Sequence, residues 1–132
     1  MASKPIYALV SNLFFAEKIV KAAKAVGLEA RAFDSAEKLI RSSREKEPAL
    51  VVLDGGEGLE KEAFRVLGDF RSDVHFSKVP ILGYLSHASG TAEELKREMR
   101  EAGCLQVYTK SEFTKELENL LARHAHGFPS RI

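Results

Sequence analysis

The stretch VVLDGGEG, residues 51–58, joins an apolar run to a single carboxylate and a glycine-rich turn. Ala49 and Leu50 precede this run, so that residues 49–54 read ALVVLD. This is the most apolar strand pattern in the chain. A short, nearly continuous apolar run is typical of a strand that is buried on both faces of a parallel sheet. We therefore predict that residues 49–54 form the central strand and that Asp54 lies at its carboxyl end.

Four further strand patterns lie on either side of this segment, and a helical pattern follows each of the five strands. The other strands are predicted at PIYALV (5–10), LEARAF (28–33), VPILGYL (79–85) and LQVY (105–108). The helices are predicted at LFFAEKIVKAAKAVG (13–27), AEKLIRSSREKE (36–47), LEKEAFRVLGDFRS (59–72), AEELKREMREAG (92–103) and EFTKELENLLARHA (112–125). Apolar residues at spacings of three and four mark the helices. Candidate N-caps are Ser11 or Asn12, Asp34 or Ser35, Thr91 and Ser111.

Strands that alternate with helices form a parallel sheet covered by helices on both faces, with right-handed crossovers. Five such units in one chain suit an α/β, flavodoxin-like (βα)5 domain whose strand order is 2-1-3-4-5. A length of 132 residues is ordinary for one domain. We assign residues 1–126 to this domain and residues 127–132 to a C-terminal tail.

The composition excludes several classes of function. Lys and Arg number 20 and Asp and Glu number 19, so the net charge of +1 argues against a broad nucleic-acid or polybasic membrane surface. The single cysteine, Cys104, allows no internal disulfide, which suits a reducing compartment. No apolar run approaches the roughly 20 residues that span a bilayer. We expect a cytoplasmic protein without membrane insertion.

Polar residues follow several of the predicted strands, at the edge of the sheet where doubly wound proteins place their ligands. The expected crevice residues are Ser11, Asn12, Asp54, Leu85, Ser86 and Lys110. A carboxylate opposite a lysine could accept a phosphoryl group whose oxygens the ammonium binds. Mg²⁺ usually assists such transfers, and Asp54 with the carbonyl of Asn12 is a weak candidate pair of ligands. The alternative is a structural pair in which Lys110 neutralises Asp54 and closes the crevice.

Over roughly residues 5–124 the chain resembles the receiver domain of bacterial two-component response regulators. The resemblance rests on ALVVLD, with Asp54 at the phosphoacceptor position, and on VPILGYLS as the fourth strand. It rests also on AGCLQVYTKSEF, in which Lys110 follows Gly103 by seven residues, as the family's lysine does. The resemblance implies the flavodoxin-like fold. It also implies a role in two-component signalling, such as a phosphorelay.

The chain departs from the family pattern around the phosphoacceptor. The family's acidic pair after the first strand, which holds Mg²⁺, corresponds to Ser11 and Asn12. Its hydroxyl residue at the end of the fourth strand corresponds to Leu85, and the hydroxyl of Ser86 comes one place late. The methionine and proline after the phosphoacceptor are replaced by GGEGLEKE. These departures resemble the degenerate, pseudo-receiver group.

Two further departures lie at the fifth strand. The family's switch aromatic corresponds to Val107, and Tyr108 is one place off, so Tyr108 is expected on the other face of the strand. The proline that follows the family's lysine is Ser111 in this chain.

We therefore expect a stand-alone pseudo-receiver that signals through protein contacts, without enzymatic activity, Mg²⁺-dependent phosphorylation or a cofactor. The alternative is a phosphate-switched receiver in which a histidine kinase phosphorylates Asp54 and Mg²⁺ takes part. The partner is expected to be a histidine kinase or a downstream signalling protein. The resemblance implies a docking or homodimer face on the fourth helix, fifth strand and fifth helix, with Lys96, Arg100, Tyr108 and Lys115 as its candidate residues.

The remaining motifs have ordinary structural interpretations. GGEG matches neither nucleotide-loop spacing and is read as a turn in which Gly55 and Gly56 adopt positive φ. One of Phe14 and Phe15 is expected in the core and the other beside the crevice. Cys104 is expected to be a small buried residue rather than a nucleophile. The four histidines, His75, His87, His124 and His126, show no metal-ligand spacing.

Overall fold

The computed structural model describes residues 4–56, 58–86 and 92–125. The strands are β1 (Ile6–Leu9), β2 (Ala30–Phe33), β3 (Leu50–Asp54), β4 (Ile81–Leu85) and β5 (Gln106–Thr109). The helices are α1 (Leu13–Ala25), α2 (Ala36–Glu45), α3 (Glu60–Ser72), α4 (Ala92–Ala102), α5 (Lys110–Lys115) and α6 (Leu117–Ala125). In the part of the chain just defined, none of the helices has the length and apolarity needed to cross a bilayer.

The five strands form one parallel sheet in the order β2-β1-β3-β4-β5. The predicted order 2-1-3-4-5 is therefore confirmed, and the strand with the most apolar sequence, β3, lies in the middle. Every residue of β1, β3 and β4 is buried, whereas the edge strands β2 and β5 have exposed positions. Continuous apolar runs thus became central strands because helices cover both of their faces.

Alternation along the strands divides the core into two layers. One layer packs α2, α3 and α4 against the sheet and includes Leu39, Leu53 and Phe70. The other packs α1, α5 and α6 against the opposite face and includes Ile19 and Val52. The predicted coverage of both faces by helices is confirmed.

The predicted last helix is two helices, and its start was misplaced. The N-cap of α5 is Thr109 rather than Ser111, since the Glu112 N–H donates to Thr109 Oγ1 (3.1 Å) and the Thr109 N–H donates to Glu112 Oε1 (3.0 Å). This reciprocal capping box satisfies two otherwise unpaired helix donors, and it places Lys110 at the first helical position. The backbone leaves helical geometry at Glu116 (ψ 16°), which separates α5 from α6. The predicted Thr91 cap lies outside the described residues.

Helix α4 lies close to the sheet where two glycines face it. A Cβ atom on Gly55 would stand 2.7 Å from Met99 Sδ and 2.8 Å from Leu85 Cδ2, and one on Gly83 would stand 2.7 Å from Met99 Cε. Met99 is fully buried at this joint. Gly55 and Gly56 were predicted to supply positive φ, but in this turn Gly58 does so (φ 84°). Gly55 is instead required by the close approach of α4.

Candidate functional site

The carboxyl edge of the sheet gathers the predicted crevice residues. Ser11 and Asn12 lie between β1 and α1, Asp54 is the last residue of β3, and Leu85 is the last residue of β4. Ser86 follows β4, and Lys110 follows β5 directly. Because the strands are parallel, all these residues lie at one end of the sheet.

Asp54 is a buried carboxylate whose side chain closes the turn after β3. It is only 1% exposed. Its Oδ1 accepts a hydrogen bond from the Gly56 N–H at 2.9 Å, while the Gly55 N–H donates to the Tyr84 carbonyl at 2.9 Å. One carboxylate oxygen is thus engaged by the local backbone, in a turn of the kind that aspartate side chains commonly make.

Register places Asp54 in a row with two tyrosines. Asp54 is opposite Tyr84 on β4, and Tyr84 is opposite Tyr108 on β5. Alternation puts this row on the α1 and α5 side of the sheet, where Tyr84 and Tyr108 pack. Val107 lies in the opposite layer, so the expectation that Val107 and Tyr108 occupy different faces is confirmed.

Leu85 belongs to the other face from Asp54. It is 4% exposed and packs in the layer that contains Met99. Its Cδ2 atom would lie 2.8 Å from a Cβ atom added to Gly55, so it occupies the space that a side chain there would need. The apolar side chain at the end of β4 therefore completes the α4 joint, and the neighbouring Ser86 is half-buried at the crevice.

Lys110 lies above a stack of aromatic rings. Its Nζ is 4.7 Å from the centroid of the Phe15 ring. Phe15 meets Tyr84 edge to face, with centroids 5.1 Å apart, and Tyr84 stacks on Phe113 at 5.2 Å. The lysine is half-buried and so places a cation on the apolar floor of the crevice.

The first turn of α1 forms the other wall of the crevice. Asn12 Oδ1 accepts from the Phe15 N–H at 2.9 Å, so Asn12 is the N-cap and the prediction of a cap at this point is confirmed. Phe15 begins the buried face of the helix, which continues with Ile19 and Ala22. Phe15 is 4% exposed, whereas Phe14 is 83% exposed, as expected for one core and one exposed phenylalanine. Ser11 is exposed.

An open groove of about 640 Å³ runs between α1 and α5 beside these residues. Three lysines, Lys18, Lys110 and Lys115, line it, and none of the lining residues that the structure describes is acidic. Its other lining residues are Asn12, Phe14, Phe15, Ser86, Ser111 and Thr114. Asn12, Ser86 and Lys110 were predicted at the crevice, whereas the contributions of Lys18 and Lys115 were not predicted, because they depend on how α1 and α5 pack together.

The four predicted partner-face residues do not form one uniform surface. Arg100 is exposed on α4 and Tyr108 is half-buried on β5. The Lys96 side chain is only 17% exposed and lies 3.6 Å from Glu93. Lys115 is exposed but lines the groove beside α1, away from α4.

Two histidines line one cleft at the opposite edge of the sheet. His75 and His124 both line a cleft of about 330 Å³ with Pro48 and Pro80, which precede β3 and β4. Burial lowers the pKa of His124, and the nearby Arg123 lowers it further. Residues 4–56, 58–86 and 92–125 contain no cluster of three His, Cys, Asp or Glu side chains arranged for a metal ion. His87 and His126 lie outside these ranges.

Cys104 is buried, as predicted for a small core residue. Burial raises the pKa of its thiol to about 12. A thiol in this state is a poor nucleophile at neutral pH, because the thiolate is the reactive form.

No protein-family model matches the sequence, and no curated protein resembles it significantly. Solved structures do share its fold. The phosphorylated cyanobacterial phytochrome response regulator RcpA is 17% identical, with a TM-score of 0.78 over 98% of this chain and 100% of that one. A response regulator from Hahella chejuensis is 18% identical, with a TM-score of 0.78 over 92% and 94%. One from Thermotoga maritima is 13% identical, with a TM-score of 0.77 over 94% and 98%. The chain therefore has the receiver fold.

Proposed function

We propose that this chain is a receiver-like signalling module that works through protein contacts, without Mg²⁺-dependent phosphorylation of Asp54. The proposal rests on one observation: polar side chains at the carboxyl edge of the sheet are already hydrogen-bonded to the backbone. Asn12 caps α1 through its only side-chain oxygen, and Asp54 is buried with one oxygen bound to the Gly56 N–H.

These residues fit a magnesium ion poorly. Mg²⁺ requires near-octahedral oxygen coordination and keeps several waters, so its ligands must be accessible and anionic. Ser11 is neutral, and the Asn12 oxygen that would coordinate the ion already accepts a hydrogen bond. Among the described residues at the carboxyl ends of β1, β3, β4 and β5, Asp54 is the one carboxylate. It is only 1% exposed.

The groups that would read a phosphate are also engaged in packing. The Lys110 ammonium lies over the Phe15 ring. Leu85, which stands in place of the family's hydroxyl residue, fills the α4 joint on the other face of the sheet. A direct pair between Asp54 and Lys110 stays a prediction, and it would stabilise the same closed crevice.

The rest of the assignment follows from this mode of action. A module that works by binding needs no catalytic group and no cofactor, and we propose that the chain is not an enzyme. Its single buried cysteine suits a reducing cytoplasm. Its partner would be a histidine kinase or a downstream signalling protein.

Acetyl phosphate tests the proposal directly. The protein is incubated with Mg²⁺ and acetyl phosphate, and its intact mass is measured. We expect no adduct. A mass increase of about 80 Da, the mass of one phosphoryl group, that is absent from Asp54→Asn would overturn the proposal. The double variant Ser11→Asp/Asn12→Asp is the matched control, because it restores an acidic pair while aspartate still caps α1.

The alternative function is a phosphate-switched receiver. Asp54 keeps the position of a phosphoacceptor at the end of the central strand, and the similar RcpA structure is of a phosphorylated protein. In that case a histidine kinase would phosphorylate Asp54, Lys110 would bind the phosphoryl oxygens and Mg²⁺ would assist. The same mass measurement separates the two functions.

A homodimer through α4, β5 and α5 is the proposed self-association. Leu105, which directly precedes β5 and is 57% exposed, and the exposed Arg100 would lie on this face. Sedimentation velocity should show a dimer that Arg100→Glu or Leu105→Ser weakens. The control Lys24→Glu, which changes an exposed lysine on α1, should leave the dimer intact. An unchanged profile in both Arg100→Glu and Leu105→Ser would exclude this face.

A further inference from the structure

Two large apolar side chains are exposed side by side in the first turn of α1. Leu13 and Phe14 are each 83% exposed. Single exposed apolar residues are ordinary, whereas contiguous exposed apolar surface marks interaction sites. Phe14 itself lines the groove of about 640 Å³ between α1 and α5.

The groove beside this pair is basic. Phe14 and Lys18 are four residues apart in α1 and therefore lie on one face of the helix, one turn apart. Lys110 and Lys115 line the same groove from α5. Acidic residues flank the groove without lining it: Glu112 lies on α5 close enough to Lys115 for their charges to interact, and Glu116 is the C-cap of α5. Glu17 pairs with Lys21 at 3.7 Å, while Glu116 and Glu118 line a second groove next to the first.

We infer that this groove docks an acidic segment of a partner protein, which places an apolar side chain on Leu13 and Phe14 and its carboxylates opposite Lys18, Lys110 and Lys115. The inference rests on the proposed function, because it names the surface and partner of a module that works by binding. Charge complementarity favours an acidic occupant, since the described lining residues supply three cations and no acid.

The apolar pair favours a protein over a nucleic acid. An aliphatic side chain next to a single ring, Leu13 beside Phe14, is a poor stacking platform for successive bases, which bind to aromatic faces. Leu13 and Phe14 together instead offer the kind of anchor that an apolar side chain of a peptide covers. The overall charge of +1 also gives nucleic acid little long-range attraction.

A random peptide library displayed on phage identifies the occupant. The full chain is immobilised without Mg²⁺ and without a phosphodonor, and enriched sequences are compared with those selected by Phe14→Ser/Lys18→Glu. We expect enrichment of peptides that carry an excess of Asp and Glu around a Leu, Phe or other large apolar residue. The double variant should lose this enrichment.

Binding of the enriched peptides is then measured in solution by fluorescence anisotropy. Lys18→Glu and Lys115→Glu should each weaken binding by about tenfold, and both effects should shrink at high salt. The matched controls are Lys24→Glu, an exposed lysine on α1 outside the groove, and Val74→Ser, an apolar residue that is 88% exposed far from it. Both should bind like the natural chain.

Three results would overturn the inference. The library could yield no sequences above those of the double variant, or the enriched peptides could bind Lys18→Glu and Lys24→Glu equally. A single-stranded DNA 12-mer could also bind more tightly than the peptides, which would assign the groove to nucleic acid. The acetyl phosphate measurement is separate, so a phosphoadduct would remove the proposed function without changing any of these three outcomes.

Discussion

The ammonium of Lys110 lies 4.7 Å from the centroid of the Phe15 ring, which joins the start of α5 to the first turn of α1. Both residues belong to the wall of one crevice, and Phe15 also meets Tyr84 edge to face. A lysine at this point of the fold therefore has a structural contact whether or not a phosphate ever reaches it. That contact has a measurable energy.

A double-mutant cycle measures the contact. Lys110→Met and Phe15→Leu, made singly and together, should show a coupling of about 0.5–1 kcal/mol in the free energy of unfolding, the range of partly exposed cation–π pairs. Urea denaturation supplies the four values. A cycle of Lys115→Met with Phe15→Leu is the control and should show no coupling. A Lys110 cycle that is additive within error would contradict the contact.

Gly83 should not tolerate a methyl group. A Cβ there would stand 2.7 Å from Met99 Cε and 3.3 Å from Cys104 Sγ, and both residues are buried. Overpacking of this kind costs about 1–3 kcal/mol, so Gly83→Ala should lower the urea midpoint. The cost should fall in a Met99→Ala background, where the nearest atom is gone.

Gly68 provides the matched control for Gly83. It lies inside α3, and an added Cβ there meets nothing within 4 Å. Gly68→Ala should therefore stabilise the protein by about 0.5–1 kcal/mol through the reduced entropy of the unfolded chain. If Gly83→Ala were tolerated as well as Gly68→Ala, Met99 of α4 would not approach the sheet this closely.

The bridge between α2 and α3 should make stability depend on pH in acid. Arg44 donates to Asp73 Oδ2 at 2.8 Å, which is the first cause of the lowered pKa of Asp73, and the His75 N–H adds a second hydrogen bond. A lowered carboxyl pKa contributes stability that is present above the ordinary value of 3.8 and is lost as pH falls through the folded value.

Arg44→Met should therefore reduce the loss of stability between about pH 6 and about pH 3. Carboxyl-detected NMR should also show the pKa of Asp73 moving up in this variant. The control is Arg41→Met, which removes an arginine of the same helix that pairs with Glu37 at 2.9 Å. If both arginine variants gave the same pKa for Asp73, the Arg44 contact would not be its cause.

Cys104 should resist thiol reagents while the protein is folded. Burial raises the pKa of its thiol to about 12, so thiolate is scarce at about pH 8 and the reagent is also excluded. Labelling by a disulfide reagent should be slow in buffer and fast in concentrated guanidinium chloride. Leu105→Cys in a Cys104→Ser background is the control, because residue 105 is exposed and should react at once. Rapid labelling of native Cys104 would contradict its burial.

The sheet could be predicted because its signal is local. Continuous apolar runs marked β1, β3 and β4, and alternation with helices fixed a parallel order that the structure confirms. The position of Asp54 at the end of β3 followed from the same run. In each case the residues that decide the structure are neighbours in sequence.

The details of the crevice depend on distant contacts and were not predictable in the same way. Helical spacing already places Phe15 on the face of Ile19 and Ala22, but the contact of its ring with Lys110 depends on α5, which is distant in sequence. The role of Gly55 depends on Met99, which arrives from α4. The start of α5 was misplaced because Ser111 was predicted as its N-cap, although Thr109 with Glu112 three places later is a capping-box signal.

The stacked rings of Tyr84 and Phe113 give this chain an internal optical probe. The sequence contains no tryptophan and three tyrosines. Tyr84 is fully buried, is opposite Asp54 in the sheet and lies parallel to the Phe113 ring. Rigid, asymmetric packing of this kind produces near-ultraviolet circular dichroism, which is lost when side chains begin to move. Events at the crevice should therefore be visible in an unlabelled sample at tyrosine wavelengths.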